Sequence, residues 1–200
     1  TDEYTMNYLG FKINNTEYRG HEDGPYNRDT SQYEAWRDNN FGETRSIIAS
    51  QVRDTRDNIF YPTEGTRTSL SVEYAGLGGD FDYTKLTGSI QKYYKVGHAQ
   101  VLALRGSAGY ANEDLPEAAL FEVGGQNSVR GYRDGQFSGN KMLMGTVEYR
   151  FPLVNKVQGA LFTDVGDAWG GKSWGPWSSI EDDLDLPRNS FDECVNFITD

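Results

Sequence analysis

Arg130 is the residue of this chain whose type and setting best suit specific chemistry. It lies in the glycine-rich run FEVGGQNSVRGY (residues 121–132), within a long polar segment, Ala111–Asn140, called the central loop below. Glycines let a backbone turn sharply and approach another surface closely. Loops longer than about 15 residues are usually functional or disordered, and this one is too rich in apolar side chains to be simply solvated. We therefore expect it to fold back into the protein, with Arg130 directed at a buried carboxylate.

Residues suited to bond chemistry or metal binding are sparse. The sequence has no G-x-S-x-G, H-E-x-x-H or P-loop motif. The two histidines, His21 and His98, are isolated, and the acidic run at 181–185 lacks the glycine and ligand spacing of a calcium loop. Asp54 and Asp57 flank Arg56 near a predicted turn, where local ion pairing is favoured over acid–base catalysis. We predict that the protein is not an enzyme and that it holds no cofactor and no metal.

Composition narrows the class of protein. The net charge of −11 argues against nucleic acid as a partner, because that role calls for a basic patch. No stretch approaches the roughly 18 apolar residues of a helical membrane span, whereas a membrane β-barrel has only weak alternation in each strand. The single cysteine, Cys194, cannot form an internal disulfide and fits an outer-membrane or cytosolic bacterial protein. Residues 1–4 do not resemble a signal peptide, so we expect the chain to begin inside a longer protein.

Seven segments alternate apolar and polar side chains with the period of a β-strand. In the clearest of them, Leu70 and Val72 point one way while Ser71 and Glu73 point the other. The predicted strands are Tyr4–Tyr18, Glu43–Asp54, Thr66–Ala75, Phe81–Val96, Ala99–Ala111, Lys141–Phe151 and Val157–Trp169. Several exceed the five or six residues of a typical globular strand. The pattern favours an antiparallel outer-membrane barrel, and a soluble β-sandwich is the alternative.

The predicted connections alternate imperfectly between short and long. Short turns are expected at Asn58–Gly65, Gly97–His98 and Pro152–Lys156, and long loops at Gly20–Gly42 and Ala111–Asn140. The short turn Gly76–Asp80 falls on the long-loop side, and a helical turn is expected at 32–37. We predict that residues 1–170 form one partial barrel domain. Residues 171–200 show no alternation and are predicted to be an irregular tail without assignment.

Three short segments resemble, in order and spacing, the motifs of the bacterial outer-membrane surface-antigen barrel family. They are DTRDN with YPTEG (54–58 and 61–65), GG with SVRGY (124–125 and 128–132), and FTDVG running into AW (162–166 and 168–169). They resemble a turn, a VRG(F/Y) loop and an F-x-D-x-G strand, and the likeness covers roughly residues 43–169. The motif residues are Asp54, Arg56, Asp57, Pro62 and Gly65 in the turn, Gly124, Gly125, Ser128, Val129, Arg130, Gly131 and Tyr132 in the loop, and Phe162, Asp164 and Gly166 in the strand.

This resemblance implies an all-β fold. The chain would carry about seven strands of a larger, roughly sixteen-stranded antiparallel transmembrane barrel in the outer membrane of a bacterium. It would be an internal piece of that barrel. The central loop is implied to tuck into the lumen from outside.

The same resemblance pairs Arg130 with Asp164 and makes Glu148 the second partner. Strand parity agrees, because both carboxylates face the lumen if their apolar neighbours face lipid. An arginine fork suits carboxylates, and charges in a partly desolvated lumen need partners. Gly124 and Gly131 are expected to allow close packing against the barrel wall. On the residues alone, a solvated Arg130 and a turn-capping Asp164 remain the alternative.

The function implied is assembly of other proteins. The family folds and inserts β-barrel proteins into the outer membrane, by adding client strands at a weakly paired seam rather than by bond chemistry. The implied partners are membrane lipid, unfolded outer-membrane protein clients and accessory assembly lipoproteins, with no nucleic acid. The alternatives are a relative acting in polypeptide secretion or autotransporter assembly, a passive porin-like barrel, and a soluble β-sandwich binder.

Overall fold

Nine β-strands account for most of this computed structural model, which describes residues 2–17, 37–112, 115–154 and 157–170. The strands are β1 (Thr5–Thr16), β2 (Gly42–Asp54), β3 (Gly65–Ala75), β4 (Tyr83–Gly97), β5 (Gln100–Ala111), β6 (Phe121–Val123), β7 (Phe137–Gly139), β8 (Lys141–Val154) and β9 (Val157–Trp169). Seven of them form one antiparallel sheet in the order β1-β2-β3-β4-β5-β8-β9, and β6 pairs with β7. The sheet is open, since β1 and β9 each have one partner strand among the described residues.

Side-chain alternation gives the seven-stranded sheet two different faces. The register aligns Leu9 with Ala49, Ala49 with Val72, Val72 with Leu86 and Leu86 with Tyr110, so these side chains share one face. The same outer face carries further exposed apolar residues, namely Phe11, Ile13, Ile47, Leu70, Tyr74, Ile90, Leu104, Leu143, Val147, Leu161 and Val165. The opposite, inner face carries Lys12, Ser46, Glu73, Lys85, Arg105, Thr146, Glu148 and Asp164. A long apolar outer face beside a polar inner face is the arrangement of a barrel wall in lipid, as predicted.

The connections alternate imperfectly in length between the two ends of the sheet, as predicted. The strand ends joined by the links 55–64, 98–99 and 155–156 lie at one end, and those joined by 17–41, 76–82 and 112–140 lie at the other. The two longest links, 17–41 and 112–140, share an end, whereas the seven-residue link 76–82 at that end is shorter than the ten-residue link 55–64. The predicted turn Pro152–Lys156 is wrong in its first part, because β8 continues to Val154 and Pro152 pairs opposite Gln158. Pro152 lies past Arg150, the last residue of β8 that pairs with β5. β8 is therefore an edge at this point, where proline is tolerated.

The central loop folds inward, as predicted, and contains more structure than the sequence indicated. It includes a single 3₁₀ turn, Glu117–Ala119, followed by the β6–β7 hairpin. Phe121 is buried against Tyr83 and Ala111 of the wall. Val123 and Val129 are buried against Ala168 of β9. The loop thus contributes much of the buried apolar core on the inner face.

Several predictions fall outside the described ranges. They concern most of the long loop Gly20–Gly42, the helical turn at 32–37 except its last residue, and the tail at 171–200, together with His21 and Cys194. The part of the first long loop that is described begins with a helical stretch at 37–40. None of the helical segments among the described residues has the length and apolarity needed to cross a membrane.

Candidate functional site

Arg130 of the central loop forms hydrogen bonds to Asp164 of β9 from both its side chain and its backbone. Its Nε lies 2.6 Å from Asp164 Oδ2 and its Nη2 lies 2.8 Å from Oδ1. The Arg130 backbone N–H also donates to Asp164 Oδ2, at 3.2 Å. The Asp164 side chain is only 2 % exposed. A bidentate arginine–carboxylate pair is among the strongest charge-assisted contacts in proteins, and burial makes each charge depend on the other.

Glu148 of β8 binds the third nitrogen of the same guanidinium. Arg130 Nη1 donates to Glu148 Oε2 at 3.0 Å, and Arg150 Nε donates to Glu148 Oε1 at 2.6 Å. The guanidinium also lies 3.3 Å from the ring centroid of Phe162, a cation–π contact. The two arginines and two carboxylates balance in charge. Arg130, Asp164 and Glu148 together are called the latch below.

The sheet register brings the two carboxylates of the latch side by side. Asp164 pairs opposite Thr146, and Glu148 pairs opposite Phe162, so both acids lie on the inner face of adjacent strands. Diagonal neighbours on one face of a sheet are within reach of a long side chain. A single guanidinium can therefore bridge β8 and β9.

A tight turn in the central loop presents Arg130 to these strands. Ser128 N–H donates to the Gly125 carbonyl oxygen and Gly125 N–H donates to that of Val129, each at 3.2 Å. Ser128 Oγ accepts a hydrogen bond from Gly124 N–H at 2.8 Å. The turn leaves the Val129 side chain buried next to the wall. Four residues of the predicted loop motif thus form the support that aims Arg130.

Gly166 of the predicted strand motif makes room for this turn. A Cβ at Gly166 would lie 2.7 Å from Met144 Cβ and 3.0 Å from Val129 Cγ2. The first distance is shorter than real Cβ contacts, so a side chain there forces a shift. Val129, the residue before Arg130, therefore packs against β9 at Gly166.

The prediction that Gly124 and Gly131 allow close packing against the barrel wall is wrong. No heavy atom of the described residues lies within 4 Å of a Cβ built at Gly131, whose φ is +97°. A Cβ at Gly124, with φ +124°, would overlap the carbonyl oxygen of Arg133 in the loop itself. Both glycines serve the loop's own backbone, because left-handed conformations of this kind favour residues without a Cβ. Tyr132 likewise packs within the loop, edge-on to Phe137 with ring centroids 5.2 Å apart.

The predicted turn motif lies on the β2–β3 connection rather than at the latch. Arg56 donates to both carboxylate oxygens of Asp54, at 2.8 and 2.6 Å, so the local pairing of these residues is an ion pair. Asp57 accepts hydrogen bonds from Thr63 Oγ1 at 2.6 Å and from Thr63 N–H at 2.9 Å. The Thr63 hydroxyl, followed by backbone N–H groups, lowers the pKa of Asp57 to about 2.

The other two turn positions have packing and backbone roles. Pro62 is buried. Gly65 has φ +101°, and a Cβ there would overlap the carbonyl oxygen of Thr55. Only glycine fits this close approach. The motif as a whole closes the β2–β3 connection tightly.

Two contributors to the site were missed in the sequence. Arg150 has the same inward parity as Glu148, two residues away on β8, and this spacing was a usable signal for their ion pair. Phe162 belongs to the predicted strand motif, and its even-numbered position on β9 also places it on the inner face, opposite Glu148.

An antiparallel sheet with an apolar outer face, a polar inner face and its two longest connections at the same end defines part of an outer-membrane β-barrel. The family model described as the Omp85 superfamily domain matches residues 1–189. The chain belongs to the Omp85 superfamily, in agreement with the family predicted from its motifs. Its location is the bacterial outer membrane.

Known proteins resemble the chain over part of their length. A crystal structure of BamA from Haemophilus ducreyi lacking POTRA domains 1–3 has a TM-score of 0.69 at 17 % identity, covering 94 % of this chain and 42 % of that one. Outer membrane protein assembly factor BamA from Neisseria meningitidis is 28 % identical over 151 residues, which is 64 % of this chain and 19 % of that protein. Outer envelope protein 80, chloroplastic, from Arabidopsis thaliana is 35 % identical over 95 residues, 47 % of this chain and 13 % of that protein. The chain thus spans a fifth or less of these sequence relatives.

Proposed function

We propose that this chain is part of an assembly factor that folds β-barrel proteins and inserts them into the outer membrane. The superfamily match supports the proposal, as do two relatives named outer membrane protein assembly factor BamA. Its partners in the proposal are membrane lipid, unfolded outer-membrane protein clients and accessory assembly lipoproteins. The activity is non-covalent: client strands pair at an open edge and leave folded, so the protein is not an enzyme.

The latch is the observation that carries the mechanism. Arg130 ties the central loop to two adjacent wall strands through four hydrogen bonds. Because the side chains of Asp164 and Glu148 are only 2 % and 17 % exposed, these charges stabilise one loop position and penalise positions that separate them. We infer that the latch holds this part of the wall in one arrangement while strands elsewhere in the complete barrel open to accept a client strand.

The proposal also assigns the domains. Residues 1–170 form the barrel part, with Ala111–Asn140 as the lumen loop. The tail at 171–200 stays without an assignment. Limited proteolysis of the full-length protein in membranes tests this boundary, since the paired strands of the barrel part resist cleavage whereas an irregular tail is cut.

Charge reversal of the latch tests the function. Arg130→Glu in the full-length protein places three carboxylates together and releases the loop. We expect the amount of folded client barrel in the outer membrane to fall by about tenfold, the effect of losing roughly 1.4 kcal/mol at a limiting step. Heat-modifiable migration of clients on gels measures this. Arg133→Glu is the matched control, because Arg133 lies in the same loop and is exposed.

A second variant separates the latch from general damage. Arg130→Glu combined with Asp164→Arg restores one opposite pair, and it should recover part of the client assembly. Wild-type client levels in Arg130→Glu, with the loop still inside, contradict the proposal. Normal barrel assembly with impaired export of a secreted polypeptide favours the secretion alternative instead.

A further inference from the structure

The central loop also touches the wall at a second place, on β4 and β5 rather than on β8 and β9. Lys85 of β4 donates from Nζ to the Ala119 carbonyl oxygen at 2.6 Å. The same Nζ lies 4.2 Å from the centroid of the Phe121 ring. One ammonium group thus binds a backbone carbonyl and an aromatic face of the loop at once, both favourable for a cation.

The wall is shaped to receive the Phe121 ring. A Cβ at Gly109 of β5 would lie 2.5 Å from Phe121 Cε1 and 2.9 Å from Met142 Cγ. Phe121 is 5 % exposed, in a cluster with Tyr83 and Leu115. The Phe121 ring thus occupies the space left by the absence of a side chain at Gly109, with the ammonium group of Lys85 over its face. Lys85, Gly109 and Phe121 are called the seat below.

The seat and the latch use different strands and are joined by one short element. The seat lies on β4 and β5, whereas the latch lies on β8 and β9. Phe121 opens β6 and pairs opposite Gly139 in the hairpin, and the turn that follows β6 carries Arg130. Any displacement of Phe121 therefore moves the start of the element that aims Arg130.

We propose that Lys85 is a positioning residue for the latch. It fixes Phe121 in the seat, so that the β6–β7 hairpin presents Arg130 to Asp164 and Glu148. The loop is then held at two places, one on β4 and β5 and the other on the neighbouring strands β8 and β9. The effect on client assembly rests on the proposed function, whereas the effect on loop position does not.

A disulfide reporter tests loop position without the latch charges. Arg130 N lies 3.2 Å from Asp164 Oδ2, so the Arg130 backbone contacts the Asp164 side chain, and we expect a cysteine pair at these two residues to form a disulfide when the loop is in place. The reporter is Arg130→Cys with Asp164→Cys in the full-length protein, on a background without other cysteines. With the latch charges removed, the seat and the buried packing of Val123 and Val129 against Ala168 remain to hold the loop. The oxidised fraction formed in membranes in a fixed time then measures how well the seat positions it.

The expected results follow from the seat's contacts. Lys85→Met removes the hydrogen bond and the cation but keeps the stem, and should lower the oxidised fraction by about fivefold, the effect of one net hydrogen bond. Lys85→Arg should restore it. Lys95→Met is the matched control, since Lys95 lies on the same face of the same strand and is exposed. Gly109→Ala fills the seat without touching Lys85 and should give the same loss if Lys85→Met fails to fold.

Two outcomes separate the seat from the proposed function. An unchanged oxidised fraction in folded Lys85→Met or folded Gly109→Ala overturns the positioning role. A reduced fraction supports it. If the fraction falls but client assembly is normal in both Lys85→Met and Arg130→Glu, the seat stands and the assembly role of the latch fails.

Discussion

Asp164 and Glu148 contribute unequally to the latch, although both carboxylates bind Arg130. Asp164 accepts three hydrogen bonds from Arg130, two from the side chain and one from the backbone. Glu148 accepts one, and its other oxygen binds Arg150. The Asp164 side chain is 2 % exposed, against 17 % for that of Glu148. Loss of Asp164 therefore removes more hydrogen bonds than loss of Glu148, and removes them from a more buried position.

This asymmetry gives a prediction for double-mutant cycles in the full-length protein. The coupling free energy of Arg130→Met with Asp164→Asn should be about 3 kcal/mol, typical of a hydrogen-bonded buried pair. The coupling of Arg130→Met with Glu148→Gln should be about 1 kcal/mol, because one hydrogen bond is at stake and Glu148 keeps Arg150. Reversible urea unfolding in vesicles measures both. Equal couplings, or a larger one for Glu148, contradict this ranking.

The β2–β3 connection is the element whose stability should depend on acid. Asp57 is exposed, and the Thr63 hydroxyl and backbone N–H groups lower its pKa from 3.8 to about 2. A carboxylate with a depressed folded-state pKa stabilises the fold fully above its unfolded pKa. It loses that contribution as the pH falls through the folded value. The window for this turn is thus from about pH 4 down to about pH 2.

Asp57→Asn should mimic the protonated turn. We expect wild-type protein to be more thermally stable than this variant above about pH 4, with the difference shrinking towards zero at about pH 2. Thermal unfolding of the full-length protein in detergent across this range measures it. Glu64→Gln is the matched control, because it also removes one carboxylate from the same turn but leaves the hydrogen bonds between Asp57 and Thr63 in place. A difference that is constant from pH 6 to pH 2 rules out the Asp57 contribution.

Strands with a regular alternation of apolar and polar side chains were predictable from the sequence. Contacts between residues distant in the sequence were not. All seven wall strands were placed within a few residues, because lipid on one side and lumen on the other impose alternation along each strand. That parity also placed Glu148 and Asp164 on one face. The three-residue strands β6 and β7 were missed, since segments this short carry no period. The seat was missed as well, because Gly109 and Phe121 meet across the fold and nothing local marks them as partners.

In the complete barrel, the face of the sheet on which a residue lies decides how much an introduced charge destabilises the protein. Ile90 lies midway along β4 on the outer face, and its neighbour Ser89 faces inward, where Ser89 Oγ lies 2.7 Å from Ser69 Oγ. Of these two adjacent side chains, Ile90 therefore faces lipid and Ser89 faces the lumen. Because Ile90 and Ser89 are adjacent on β4, they differ in the face on which they lie and hardly at all in position along the strand.

Ile90→Arg should destabilise the complete barrel in vesicles by about 2–4 kcal/mol, the cost of an arginine on the lipid face near the bilayer midplane. Ser89→Arg should cost less than about 1 kcal/mol, because its charge stays in the polar lumen. The folded fraction of each full-length variant in lipid vesicles, read from heat-modifiable migration against urea, gives both values. In detergent micelles, which adapt around a charge, the gap between the two variants should narrow. Equal costs in vesicles, or a larger cost for Ser89→Arg, mean that lipid does not cover the face of Leu9, Val72 and Ile90.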